Sequence, residues 1–354
     1  MKKRVWIGLL VLFLVALLAT GQLLYPKYMD KPYEGALTGE YYDNAGYSDL
    51  MIIGDCEVYE NISPVTLWRD WGISSYIRGS AQQLVWQSYY LLEDALRLET
   101  PKVVLFSVLA MMYDKPQNEA YNRLTLDGMR FTRTKWDAIQ ASKTPEESVA
   151  SYYWPLLRFH ERWQDIKKED FQYYFTRRQV GINGFMMRSD ILPVGWIREP
   201  DRQQNYQFGD NAYAYLDKIT ALCKEKGIQL VLFKAPSLSP PWFDEWDAQM
   251  VDYAKKHDLL YINALAEQKT IGLDFAVDTY DAGLHLNRQG AEKMAHYLGE
   301  VLTRESALPD RRDDPAYTAA WQPKLAAYDA MRDAQEKEIQ ESGAVQTFLV
   351  PEVD

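Results

Sequence analysis

Three short patterns hold most of the side chains that could do chemistry. Gly54-Asp55-Cys56 places a thiol directly after an apolar run, Leu50 to Ile53. Asp281 and His285 stand four residues apart in Asp278-Thr279-Tyr280-Asp281-Ala282-Gly283-Leu284-His285-Leu286-Asn287. Arg78-Gly79, Ser107 and Lys234 each close a further apolar run. A thiol beside an imidazole is a competent nucleophile, because the ring takes the proton and the thiolate attacks a carbonyl. A carboxylate on the other ring nitrogen fixes the tautomer, the role open to Asp281. The tetrahedral oxyanion needs N–H donors from Cys56 and Gly79, aided by Arg78 or the Ser107 hydroxyl. Lys234 is placed either to meet an anionic substrate or to pair with an acid. The chemistry is acyl transfer through a thioester, to water or to a hydroxyl. A helix starting at Cys56 is expected to lower the thiol pKa through its dipole. Asp55 is expected to order the turn.

These residues need a scaffold that brings distant loops to one rim. Continuous apolar runs at Leu50–Ile53, Ile73–Ile77, Val103–Phe106, Ile228–Phe233 and Leu259–Ile262 suit buried parallel strands. Helical spacing follows or separates them: a helix capped by Ser80 and carrying Leu84, Val85, Tyr89, Leu92 and Leu96, then helices over 212–226, 245–257 and 287–302. The expected fold is a three-layer α/β/α domain over residues 48–304, with a mostly parallel five-stranded sheet of flavodoxin-like type. In such a sheet ligands bind beyond the carboxyl ends of the strands, where all three patterns lie. Residues 111–205 interrupt the alternation and read as a helical insertion, rich in Tyr, Trp, Arg and Met, with a helix over Ser148–Trp163. Residues 26–47 read as a linker and 305–354 as a charged tail with a helix near 324–340.

The constellation resembles the SGNH/GDSL hydrolase family, over roughly residues 48–110 and 206–303. In that family the first strand ends in Gly-Asp-Ser with serine as nucleophile, a glycine follows the second strand, and an Asp-x-x-His pair precedes the last helix. Gly54-Asp55-Cys56 matches the first block with cysteine for serine, Gly79 the second, and His285 with Gly290 the last. The family's Gly-x-Asn-Asp block after the third strand is replaced by Ser107-Val108-Leu109-Ala110. Family spacing would place the acid at Ala282, so Asp281 is the nearest candidate. The chain is most similar to the membrane-anchored members associated with O-acylation of cell-envelope polymers. That resemblance implies an acyl esterase or O-acyltransferase acting on an envelope glycan or a small acyl ester. The alternative is an inactive domain that binds glycan or scaffolds a membrane acyltransferase.

Lys2, Lys3 and Arg4 precede an uncharged stretch from Val5 to Leu24. Such a stretch spans a bilayer, and the basic cluster keeps the N-terminus cytoplasmic with the main domain outside. A cleaved signal peptide with Ala19-Thr20-Gly21 at its site is the rival, but the run exceeds the ~7–15 residues of a signal core. The 354 residues carry net charge −11, which argues against nucleic acid as a partner. Two cysteines and four histidines leave no Cys-rich zinc site or disulfide scaffold, and no cofactor is expected. Cys223 lies at core spacing with Leu216, Ile219 and Leu222, as a buried structural thiol.

Overall fold

The structure, a computed structural model, describes residues 2–25, 35–172, 175, 179–197 and 200–351. The apolar runs form five strands: β1 (Leu50–Gly54), β2 (Ser75–Gly79), β3 (Val103–Ser107), β4 (Gln229–Lys234) and β5 (Leu260–Asn263). Every pairing is parallel, in the order β2-β1-β3-β4-β5. Both faces of these strands are apolar, so both must be covered. Helices Pro64–Trp71, Arg288–Glu305 and Pro315–Ser342 pack over Ile52, Leu105 and Val231 on one face. Helices Val85–Ala95, Asp210–Lys226 and Asp244–His257 pack over Met51, Ile53, Val104 and Leu232 on the other. This is the expected three-layer α/β/α fold. The chain passes from β1 to β2 on one side and returns to β3 on the other. The carboxyl ends of β1 and β3 therefore flank a topological switch point, where open α/β sheets bind ligands.

Local differences from the sequence expectation have physical causes. Ser80 does not cap the next helix; it starts at Val85, where Gln87 Oε1 accepts from the Leu84 N–H at 2.9 Å. The Ser80 hydroxyl is engaged by Gln83 and Thr125. Residues 148–163 do not form one helix. Pro155 lacks the N–H a continuous helix needs, and the segment breaks into Val149–Tyr152, Leu156–Phe159 and His160–Asp165. The expected linker contains a helix, Ala36–Asn44, because Leu37 and Tyr41 fall four apart and both are buried. Residues 26–34 lie outside the described residues. The tail helix is longer than expected, Pro315–Ser342, started by an Asp314 cap and Pro315 in its first turn. It docks through Trp321, fully buried and stacked on Trp68 at 5.0 Å.

Cys56 and Cys223 are both free, the first half-buried and the second in the core. The N-terminal helix, Lys2–Leu24, includes an 18-residue stretch of mean hydropathy 2.5 with little burial, and is long and apolar enough to cross a membrane.

Candidate active site

Chain reversal after β1 starts the site. Asp55 caps a single helical turn, Cys56–Tyr59, accepting the Glu57 N–H at 3.1 Å. Cys56 is the first residue of that turn. The turn can sit this close to the sheet because Gly79 has no side chain. A Cβ there would meet the Tyr59 ring at 3.1 Å and the Gly54 carbonyl and Val58 at 3.2 Å. Gly79 and Gly54 are register partners.

The imidazole arrives from the loop before helix Arg288–Glu305. Asn287 caps that helix, accepting the Gly290 N–H at 3.2 Å. A narrow two-stranded bridge, Thr279 with Leu286, closes the loop. Inside it Ala282 and Gly283 both adopt left-handed backbone, φ 61° and 93°. The Thr279 hydroxyl accepts the Gly283 N–H and donates to the His285 carbonyl, each at 2.8 Å. This tightening absorbs the extra residue between acid and base. Asp281 Oδ1 accepts the His285 N–H at 2.7 Å, while Oδ2 lies 2.6 Å from His285 Nδ1. A non-glycine residue at positive φ costs of order 1–3 kcal/mol, and here Ala282 accompanies the Asp281–His285 contact.

A second carboxylate reaches the same ring nitrogen. Glu60, the last residue before the turn unwinds, lies 3.1 Å from Nδ1 through Oε2 and also accepts a short hydrogen bond from Tyr280. Glu60 did not stand out in the sequence, although its position four residues after Cys56 puts it on the thiol's side of a helical turn. Asn61 follows it and is fully buried. Its Oδ1 accepts the Leu286 N–H at 2.7 Å and its amide donates to Ser237 at 3.0 Å, tying the thiol loop to the histidine loop.

His285 Nε2 is buried and has no aligned hydrogen-bond partner among the described residues. The Cys56 thiol interacts with the ring side chain to side chain, drawing its own pKa down and the ring's up. Burial nevertheless dominates at Cys56 and pushes the thiol up to about 11. Any lowering by the start of this one-turn helix is outweighed by burial of the thiol. Burial by itself would lower the His285 pKa, but Glu60 and Asp281 outweigh it and raise it to about 11. The resting pair is thus a neutral thiol beside an imidazolium. The charged ring stabilises the fold fully below pH 6.5, its ordinary pKa, and that contribution is lost as pH rises toward about 11.

The other sequence candidates divide. The Ser107 hydroxyl is buried at the end of β3 without a hydrogen-bond partner among the described residues, with its Cβ against Gly54. Lys234 is wholly buried at the end of β4, where Nζ pairs with Glu57 Oε1 at 2.6 Å and donates to the Ala235 carbonyl at 2.8 Å. Arg78 is not brought to the imidazole. Its guanidinium lies under the opposite helix layer, donating to the Leu91 carbonyl at 2.7 Å, pairing with Asp94 at 3.3 Å and covering the Tyr41 ring at 4.1 Å. Alternation along β2 explains this: Arg78 follows Ile77, so it points to the other face.

Glu60, Asp281 and His285 present ligand atoms within 4.8 Å of one another, the spacing of a cation site. Ligands around one tetrahedral ion stand about 3 Å or more apart, since each bond is about 2.0–2.2 Å. The 2.6 Å Asp281 contact is shorter, so the arrangement is that of a hydrogen-bonded ring.

Substituting Glu60→Gln is expected to shift the pH dependence of Cys56 alkylation by iodoacetamide toward neutrality. Glu60 is the largest influence raising His285 and also raises the thiol. An unmoved alkylation profile would show that Glu60 does not hold the ring charged.

No protein-family model matches the chain, and no curated protein matches it. Among solved structures it is similar to a G-D-S-L family protein from Desulfitobacterium hafniense, at 15% identity and TM-score 0.35, over 72% of this chain and 98% of that one. It is also similar to a candidate acylhydrolase from Bacteroides fragilis, at 9% identity and TM-score 0.38, over 75% and 94%. A GDSL-like lipase from Bacteroides thetaiotaomicron is similar at 11% identity and TM-score 0.33, over 72% and 87%.

Proposed function

We propose that this chain is an SGNH/GDSL-like acyl-transfer enzyme, held in a membrane by its N-terminal helix and acting outside the cell on an envelope glycan or a small acyl ester. Cys56 is the nucleophile, His285 the base and Asp281 its orienting carboxylate, with Glu60 as a second. The observation that carries this reading is the 2.6 Å Asp281–His285 contact, which leaves Nε2 as the remaining ring nitrogen next to the thiol at the end of β1. A triad needs that tautomer and that order of groups.

The reaction starts when the pair loses one proton. The remaining thiolate attacks the ester carbonyl carbon, and the C–O bond breaks after the tetrahedral intermediate collapses. His285 returns its proton to the leaving alkoxide. A hydroxyl or water then attacks the thioester with His285 as base, which releases the acyl group and restores the thiol. A loose thiol–ring contact without ligand is compatible with this, because catalytic hydrogen bonds tighten on substrate binding. The Gly79 and Cys56 N–H groups and the Ser107 hydroxyl are the donors proposed for the oxyanion.

A second reading, an inactive domain that binds glycan or scaffolds a membrane acyltransferase, is favoured by one observation: the thiol pKa is raised, not lowered. Acyl trapping separates the two. An activated acyl ester should leave a hydroxylamine-sensitive acyl group on Cys56 of the wild type, none on Cys56→Ala and a slowly formed one on His285→Ala, read by peptide mass spectrometry. Equal labelling of all three proteins would sink the nucleophile assignment and leave the binding reading.

A further inference from the structure

The insertion carries large side chains that the fold leaves in the open. Trp154 is 47% exposed, Leu157 57%, Trp163 65% and Phe171 53%. A core does not use them, and solvent does not reward them. Their location is the informative point. Leu157, Trp163 and Phe171 lie in Leu156–Phe159, His160–Asp165 and Lys168–Gln172, which are packed against the N-terminal helix, and Trp154 stands two residues before the first of these segments.

That packing grips the helix at its C-terminal end. Leu24 is buried, and a Cβ on Gly21 would meet the Leu156 side chain at 3.7 Å. The Tyr25 ring meets Phe159 edge-on at 5.3 Å. Arg162 donates from Nη1 to the Leu23, Leu24 and Tyr25 carbonyls at 3.2–3.3 Å. The last carbonyls of any helix lack partners in the helix itself, and a cation is favoured at that end of the dipole. Asp170 holds Arg162 in place at 2.7 Å and accepts the Lys167 N–H at 2.8 Å. The joint is built from both sides.

Helix length then sets the depth of the joint. Twenty-two residues from Lys3 to Leu24 rise about 33 Å, against a hydrocarbon core of about 30 Å. A helix that spans the core therefore brings Leu23–Tyr25 to the headgroup level. Whatever binds those carbonyls lies at the same level. Trp and Tyr are the side chains that partition to this boundary, with an apolar body and a polar handle. Charged neighbours such as Glu161 fit headgroup depth and would not fit the hydrocarbon.

We propose that the 154–171 part of the insertion is a collar seated in the outer headgroup boundary of the bilayer that the N-terminal helix crosses. The partner is the lipid surface itself. The collar fixes the catalytic domain at the membrane instead of leaving it on a free tether, and so directs the site toward acyl donors or acceptors held at that surface. This inference rests on the anchor reading above.

The test uses the full chain in phosphatidylcholine vesicles. A nitroxide is attached at Trp154→Cys or Trp163→Cys, and at Lys337→Cys as a solvent control, in a background of Cys56→Ser and Cys223→Ala. Flotation is scored first, then collision of each label with oxygen and with a water-soluble nickel chelate. At 154 and 163 oxygen collisions are expected to exceed those of the chelate several-fold, with the reverse at 337. Labels at 154 and 163 that behave like 337 in floating protein overturn the collar alone. Protein that folds but does not float overturns the anchor reading, and the collar with it.

Discussion

His285→Ala is expected to slow acylation of Cys56 by about 10²–10⁴-fold, the range supplied by a positioned general base. Asp281→Asn should cost less than loss of an orienting acid does in most triads, where the wrong tautomer costs about 10⁴. The reason is Glu60, 3.1 Å from the same Nδ1, which can still accept the ring proton when Asp281 cannot. The double variant Asp281→Asn with Glu60→Gln should show the full loss. Burst kinetics with an activated aryl ester measure all three rates. Additive losses in the double variant would mean that the two carboxylates act independently, and the shared-orienter account would fail. Cys56→Ser adds a complementary result. A buried serine is far less acidic than a thiol and needs the same base, so it should retain esterase turnover only while His285 is present. Activity in Cys56→Ser that survives His285→Ala would remove the ring from the mechanism.

The two carboxylates also explain why the site rests in a protonated form. In a water-filled cleft one Asp beside a His suffices to fix a tautomer. Here burial penalises the thiolate, and Glu60 with Asp281 holds the proton on the ring. In the proposed mechanism the pair gives up one proton before attack, which would tie the rate to pH above the ordinary histidine range. A substrate that displaces Tyr280 or neutralises Glu60 would lower that barrier from within the site.

Much of this arrangement was legible in sequence. The five strands announce themselves because each is an unbroken apolar run buried on both faces, and such runs have few other uses. The thiol was legible because it closes a run at the rim where parallel sheets bind ligands, and the Asp281–His285 pair because it stands in the loop just before the last helix of the sheet domain. Glu60 was not. It sits among Glu57, Tyr59 and Asn61, and only the docking of a loop from 220 residues further along gives it a partner. The raised thiol pKa was not legible for a related reason: helix start is a local property, but burial is not. Likewise 148–163 has helical spacing but contains Pro155; its later pieces pack against the N-terminal helix, while Val149 and Tyr152 pack with Leu126 and Ile139. Arg78 could have been sorted from Gly79 by strand alternation alone.

Lys234→Met is expected to destabilise the protein by about 3–5 kcal/mol, the cost of leaving a buried charge without its partner. Lys234 and Glu57 are both essentially inaccessible to water, and their 2.6 Å contact joins the end of β4 to the turn that carries Cys56. Glu57 Oε2 has no hydrogen-bond partner among the described residues, so none of them offers the carboxylate a second group to fall back on. The loss should appear as a lowered urea midpoint with an unchanged slope, together with loss of Cys56 acylation, because Cys56 precedes Glu57 in the same turn. Adding Glu57→Leu removes the stranded charge. A buried pair replaced by apolar groups of similar size is often neutral in stability, so the double variant should recover most of the midpoint. If acylation returns with it, the ion pair is only a brace for the turn. If stability returns without acylation, the charges of Lys234 and Glu57 contribute to the field at Cys56 and His285. A Lys234→Met protein as stable as wild type would mean that Glu57 takes up a proton at little cost, and the ion pair would lose its structural role.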